Sequence, residues 1–184
     1  MTAVTDLLRP ALVSNANHPD LRGSHRKLFG SVPEALLIPD FEVKEVFMTT
    51  SHKDVLRGLH FQEGAPQAKI IKPLTGSIIV NTVCFDPTLP EFGEVTRFVI
   101  SASDEVRLYV PGRYGLGYRV TEDNTNVLYI ANEHFVSGGD TGVDPFDSDL
   151  AVDWGTNISI ENAIMSDRDK VLQSFATFAE RVTK

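Results

Sequence analysis

The chain has 184 residues, a formal net charge of −8 and 42% hydrophobic residues, which suits one domain over residues 1–184 with a full core and excludes a disordered or fibrous class. No apolar run reaches the ~18–20 residues of a membrane span, no basic-then-apolar leader opens the chain, and the lone Cys84 excludes disulfides and Cys-rich metal sites. The acidic balance argues against nucleic acid and leaves, as the expectation, a cytoplasmic protein with a small-molecule partner.

In chain order, residues 4–13 read as a weak helix. The segments 43–49, 68–72, 77–85, 94–101, 105–110 and 126–131 are rich in Val, Ile, Phe, Tyr and Thr and read as strands. Turn formers separate them: Leu74-Thr75-Gly76, Pro87 to Pro90, Ser101 to Asp104, Pro111-Gly112 and Glu122 to Asn124. Short strands with turns at this frequency predict an antiparallel sandwich or small barrel. The run through Gly117 reads as a loop, as does the Gly- and Asp-rich stretch 137–149. From Asp167 on, Val171, Leu172, Phe175, Phe178, Ala179 and Val182 recur at helical spacing. Ser166 stands three residues before Asp169, the spacing of a capping box.

For chemistry, the five histidines are scattered and form no His-x-His, so the donor set argues against a metal. There is no Gly-x-Ser-x-Gly elbow and no phosphate-cradling glycine pattern. Cys84 sits inside an apolar run and reads as an inert buried thiol. What stands out is Val55-Leu-Arg-Gly-Leu-His-Phe-Gln62, followed by Gln67-Ala-Lys69. In a regular strand Arg57 and His60 face opposite ways, unless Gly58 marks a bulge that re-aims one of them. By spacing alone His60 reads first as a structural histidine, and Lys69 as an exposed strand lysine.

Arg57-Gly-Leu-His-Phe-Gln62 resembles the signature of the dTDP-4-dehydrorhamnose 3,5-epimerase family, nucleotide-sugar epimerases of the cupin class. The resemblance runs from about Asp20 to Val171. Asp20-Leu-Arg-Gly23, Gln67-Ala-Lys69, Asp86-Pro with Pro90-Glu-Phe-Gly93, Val110-Pro111, Leu128-Tyr129, Leu150 to Trp154 and Ser166-Asp-Arg-Asp169 follow the family's motifs in order. The fold implied is all-β, a cupin-type jelly roll with a C-terminal helix.

The activity implied is inversion at C3, C5 or both in a nucleotide-linked 4-keto-6-deoxy sugar, dTDP- or CDP-linked, in deoxysugar or O-antigen biosynthesis. A ketone acidifies the neighbouring C–H bonds, so such a site needs a base, an acid on the opposite ring face and positive charge at the enolate oxygen. The resemblance implies His60 as base, Asp169 as the carboxylate fixing its tautomer, Tyr129 as acid and Lys69 as the cation beside the ketone. It implies Arg57 and Arg22 as diphosphate ligands and Gln62 and Tyr118 as further substrate contacts. No cofactor and no metal are implied. A homodimer is, with the N-terminal strand carrying Arg22 towards the neighbouring site.

The chain departs from the family pattern in one region of function. Where the family has Ala-His-Gly-Phe, Tyr114-Gly-Leu-Gly-Tyr118 puts Leu116 in the place of the histidine. Ser24 to Lys27 replaces aromatics leading to a glutamate, Glu45-Val-Phe47 replaces Gln-x-Asn, and Glu133-His-Phe135 replaces Asn-Tyr-Tyr. The acid–base set is kept while the outer pocket changes, which points to the same proton chemistry on an altered substrate. Two other readings stand beside it: a non-catalytic cupin binding a sugar nucleotide, and an enzyme moving the ketone between C3 and C4.

Overall fold

The computed structural model describes residues 8–14, 17–29, 38 and 41–184. Among the described residues, twelve strands form two five-stranded antiparallel sheets and a hairpin, and one α-helix follows them. The first sheet has the order β1 (Ala11–Ser14), β9 (Val106–Val110), β6 (Lys69–Thr75), β11 (Thr125–Ala131), β4 (Glu45–Ser51). The second has the order β12 (Asp140–Gly142), β5 (Leu56–Gln62), β10 (Tyr114–Val120), β7 (Ser77–Cys84), β8 (Val95–Ser101). A separate hairpin pairs β2 (Asn17–Asp20) with β3 (Gly23–Arg26).

The two sheets face each other across an apolar layer that includes Ile71, Ile78, Val80, Leu108, Val120 and Val127. Alternation decides which side chains enter it: Val127 and Tyr129 of β11 point in, while Ile130 points to the outer face beside Ile70 and Tyr109. A second layer, with Leu59, Phe85, Trp154 and Phe178, covers the outer face of the β5–β10–β7 sheet. Trp154 is therefore core, its indole N–H donating to the Pro145 carbonyl at 2.7 Å. This is a sandwich of the jelly-roll kind. Among the described residues no helix is long and apolar enough to cross a membrane.

Four expectations need correction. Residues 11–13, expected at the end of a helix, belong to β1, which pairs with β9. Pro10 lacks an N–H, and Leu12 (45% exposed) and Val13 (1%) alternate with period two; residues 4–7 lie outside the described part. The run to Gly117 is not a loop but β10, every residue of which is buried. Its glycines hid it, yet they are packing requirements: a Cβ on Gly115 would fall 2.2 Å from the Phe85 ring. The stretch 137–149 contributes β12, which adds an edge to β5 through Asp140↔Gln62.

The C-terminal helix is shorter than its periodicity predicts. Asp169–Val171 is a 3₁₀ turn, and α1 spans only Phe175–Val182, capped by Ser174, whose hydroxyl accepts from the Thr177 N–H at 3.2 Å. Leu172 is extended and Val171 is 80% exposed. The Ser166 hydroxyl does accept from the Asp169 N–H, at 3.1 Å. The Asp169 side chain, however, is drawn inward, and the chain then pairs Gln173 with Val143 instead of continuing the helix.

Candidate active site

The site begins with a break in strand pairing. Leu116 pairs with His60 and Tyr118 with Arg57, so three steps along β5 match two along β10. The extra residue is a β-bulge, and it turns Arg57 and His60 to the same cavity. Gly58 makes it possible: its φ is +116°, and a Cβ there would sit 2.4 Å from the Gly117 Cα.

The bulge also frees the Gly58 N–H, which donates to Oδ2 of Asp169 at 3.4 Å. Oδ1 of the same carboxylate lies 2.7 Å from Nε2 of His60. Asp169 is 4% exposed. Burial alone would raise its pKa, but His60, the Gly58 N–H and the Ser166 hydroxyl outweigh burial and hold it below the ordinary carboxylate range. A buried, ionised aspartate with its neighbours all donating is a fixed orienting group for the imidazole.

Around this pair is a cavity of about 590 Å³ between the sheets, opening at one end of the sandwich. Seven of the eight residues singled out from the sequence line it: His60, Asp169, Tyr129, Lys69, Arg57, Gln62 and Tyr118. Lys69 projects from β6, with Nζ 3.3 Å from the Gln67 carbonyl. Burial lowers its pKa to about 8, against the opposing charge of Asp140. Tyr129 projects from β11, and burial, reinforced by Tyr118 and countered by Arg57, pushes its phenol well above its usual pKa. Phe47 stacks on its ring at 4.6 Å between centroids and 11° between planes. The Arg57 guanidinium reaches the Ser51 hydroxyl from Nε at 3.3 Å and from Nη2 at 3.2 Å.

Two of the residues implied as substrate contacts stand apart from the rest. Arg22 stands exposed on the β2–β3 hairpin, paired with Asp20 at 2.6 Å, and lines no part of this cavity. Gln62 is on the wall, but its amide hydrogens go to the Ala65 and His134 carbonyls (2.7 and 3.1 Å), and its oxygen accepts from the Val136 N–H. Its amide pins two loops together.

Sequence reasoning missed Thr49, Asp140 and Arg168 on the wall. Asp140 and Arg168 form an ion pair; Arg168 could have been suspected from the Ser-Asp-Arg-Asp motif, Thr49 and Asp140 from nothing local. With Arg57 and Lys69 the wall carries three cationic side chains against two carboxylates, a positive local balance in a chain of net charge −8, which suits an anionic ligand. The departures at the outer rim touch one another: Glu45 Oε1 accepts from the Phe135 N–H at 3.1 Å and lies 3.6 Å from His134 Nδ1. Among the described residues no group of three or more His, Cys, Asp and Glu side chains stands together as a metal set.

A family model described as dTDP-4-dehydrorhamnose 3,5-epimerase matches residues 4–177. A dTDP-4-dehydro-6-deoxyglucose 3-epimerase from a Streptomyces species is 30% identical over 170 residues, 90% of this chain and 83% of its own length. Among solved structures, the 3'-monoepimerase ChmJ from Streptomyces bikiniensis, in complex with dTDP-quinovose, superimposes with a TM-score of 0.83 at 27% identity, covering 95% of this chain and 87% of that one. The RmlC epimerase of Mycobacterium tuberculosis gives a TM-score of 0.85 at 26% identity, covering 96% and 88%. Sequence match, relatives and fold agree over nearly the whole length, and the chain belongs to the dTDP-4-dehydrorhamnose 3,5-epimerase family.

Proposed function

We propose that this protein, as one domain, inverts C3 of a dTDP-linked 4-keto-6-deoxyhexose by proton abstraction and return through an enolate. The observation that carries the reading is His60 on one sheet, paired with Asp169 of the 3₁₀ turn, and Tyr129 with Lys69 on the other sheet, all lining one cavity. A sugar ring held between them meets a base on one face and an acid on the other. With Nε2 engaged by Asp169, Nδ1 of His60 is the nitrogen left to take the proton. Lys69 neutralises charge on the 4-keto oxygen as it becomes an enolate, Tyr129 returns a proton from the far side, and Arg57 contacts the diphosphate. We favour dTDP over CDP because the relatives described above are dTDP-sugar enzymes. A cytoplasmic place in deoxysugar biosynthesis, the O-antigen route being one, follows from that substrate class.

Inversion at one carbon is favoured over two by the altered wall. Double inversion requires the ring to shift between two proton transfers, and Leu116 and Phe135 give the cavity an apolar lining that disfavours a second seating. In D2O with dTDP-4-keto-6-deoxyglucose, we expect one deuterium at C3, inverted, and protium at C5, read by NMR after reduction of the ketone. Deuterium with inversion at both carbons overturns single inversion. No uptake at all favours a binding cupin, and a ketone appearing at C3 favours the ketoisomerase.

We also propose a homodimer. The sheet edges β1 and β4 are unpaired within the described chain, and β4 exposes Val46 and Met48; open edges of this kind are commonly covered by a second copy. The hairpin bearing Arg22 stands outside its own cavity, as a contribution to a neighbour's site requires. Light scattering at micromolar concentration should give about twice the chain mass of 20.3 kDa; a monomer overturns it.

A further inference from the structure

The strand β10 presents Leu116 and Tyr118 to the cavity on one face. Leu116 stands directly across from His60. Tyr118, 1% exposed, extends from its own sheet to the opposite one, where its hydroxyl lies 2.8 Å from Thr49 Oγ1 and its ring stands beside that of Tyr129. The two phenol rings are 6.4 Å apart, tilted at 46°. A buried phenol needs a partner for its hydroxyl, and this one finds Thr49 on the facing sheet, next to Tyr129 on the neighbouring strand β11.

We propose that Tyr118 is a positioning residue for Tyr129, holding the phenol that returns the proton and donating to the phenolate left behind. The inference rests on Tyr129 being the acid, as proposed above. A hydroxyl both donates and accepts, so three in series form a chain with a direction. Before the transfer Tyr129 donates to Tyr118, which donates to Thr49. In the transfer the Tyr129 O–H bond breaks, a C–H bond forms at the sugar carbon, and the phenolate keeps the electron pair. The Tyr118 hydroxyl then turns to donate to the phenolate, and Thr49 turns to donate to Tyr118. No proton leaves Tyr118 or Thr49; two rotations reverse the chain. In the resting arrangement Tyr118 helps to keep the Tyr129 phenol protonated and Arg57 opposes it, so Tyr118 supports the phenolate only once its hydroxyl has turned to donate. A neutral leucine beside the base and an added hydroxyl beside the acid place the polar support of β10 on the reprotonation side of the cavity.

The test is Tyr118→Phe, which keeps the ring and removes the oxygen, with Thr49→Val as a second variant, both assayed in D2O on dTDP-4-keto-6-deoxyglucose. Two products are counted: inverted sugar, and uninverted substrate that has gained deuterium through return from His60. For Tyr118→Phe the ratio of inverted product to deuterated substrate should fall about tenfold, the size of one lost hydrogen bond to a charged group; Thr49→Val should move it the same way by about threefold. A merely structural role would lower both products together and leave the ratio alone. A wild-type ratio in Tyr118→Phe, or an equal loss of exchange and inversion, overturns the inference. Tyr129→Phe separates the layers: if it still inverts, the acid assignment fails and this inference with it. If it loses inversion while Tyr118→Phe keeps the ratio, Tyr118 alone is wrongly placed.

Discussion

His60→Ala is expected to lose deuterium wash-in and inversion together, by about 10³-fold, because no proton leaves the sugar without the base. The orienting carboxylate should behave differently. Asp169→Asn keeps the shape and the hydrogen-bonding reach but removes the charge that stabilises the protonated imidazole, so both products should fall in parallel by about 10²-fold. The carboxyl is held below its ordinary value of 3.8, its burial being outweighed by His60, the Gly58 N–H and Ser166. The sign follows: a depressed folded pKa gives stability that is present above the unfolded value and lost as pH falls through the folded one. The pair therefore imposes no acid limb on activity near neutrality through Asp169. NMR of recovered substrate and product measures both effects. Exchange in His60→Ala at more than about a tenth of the wild-type rate would place the base elsewhere.

The second large effect concerns Lys69. Burial brings its pKa to about 8, Asp140 opposing, so the ammonium proposed to neutralise the enolate is lost as pH rises through that value. The turnover rate of the wild-type enzyme should fall across an alkaline limb near pH 8, while Tyr129, held far higher, adds no limb there. Lys69→Met should lower turnover by about 10²- to 10³-fold, the range for removing one donor from a developing oxyanion, and should flatten the profile. Lys69→Arg keeps a cation at all accessible pH and should also remove the limb, with less loss of rate. A wild-type profile that stays flat well into alkaline pH, or a limb that survives in Lys69→Met, would show that Lys69 is not the titrating group.

The strand content and the residues that line the cavity were legible in the sequence for different reasons. Strands such as 77–85 announce themselves by composition, and His60, Lys69, Tyr129 and Asp169 by ordered motifs. Gly58 was a legible clue as well, since only a bulge lets Arg57 and His60 share a face, and a bulge is what the register contains. Other features could not be read along the chain. β10 looks like a loop because two of its seven residues are glycines, whose reason is the Phe85 ring, 30 residues away, and the backbone of β5. Helical periodicity across Val171 and Leu172 is coincidental: Leu172 is extended and Gln173 bridges to Val143, a partner far away in the chain. Asp140 and Arg168 meet on the wall only because β12 adds to β5. The contact between Tyr118 and Thr49 joins two sheets and has no local signature at all.

That contact has a consequence for how substrate choice is set. The imidazole stands on one sheet and the phenol on the other, so the clearance between them is the thickness of the sandwich at that end. It is fixed less by the rim loops than by Ile71, Val80, Leu108 and Val127 in the layer between. Such cores transmit strain and do not absorb it. The protein works as a calliper whose jaws are set by its filling: a methylene gained or lost in that layer changes the gap offered to a sugar ring. Tyr118, reaching across to Thr49, acts as the stop that keeps the jaws from opening. Mutations that retune which carbon is inverted can therefore arise deep in the core, at residues that never meet the sugar.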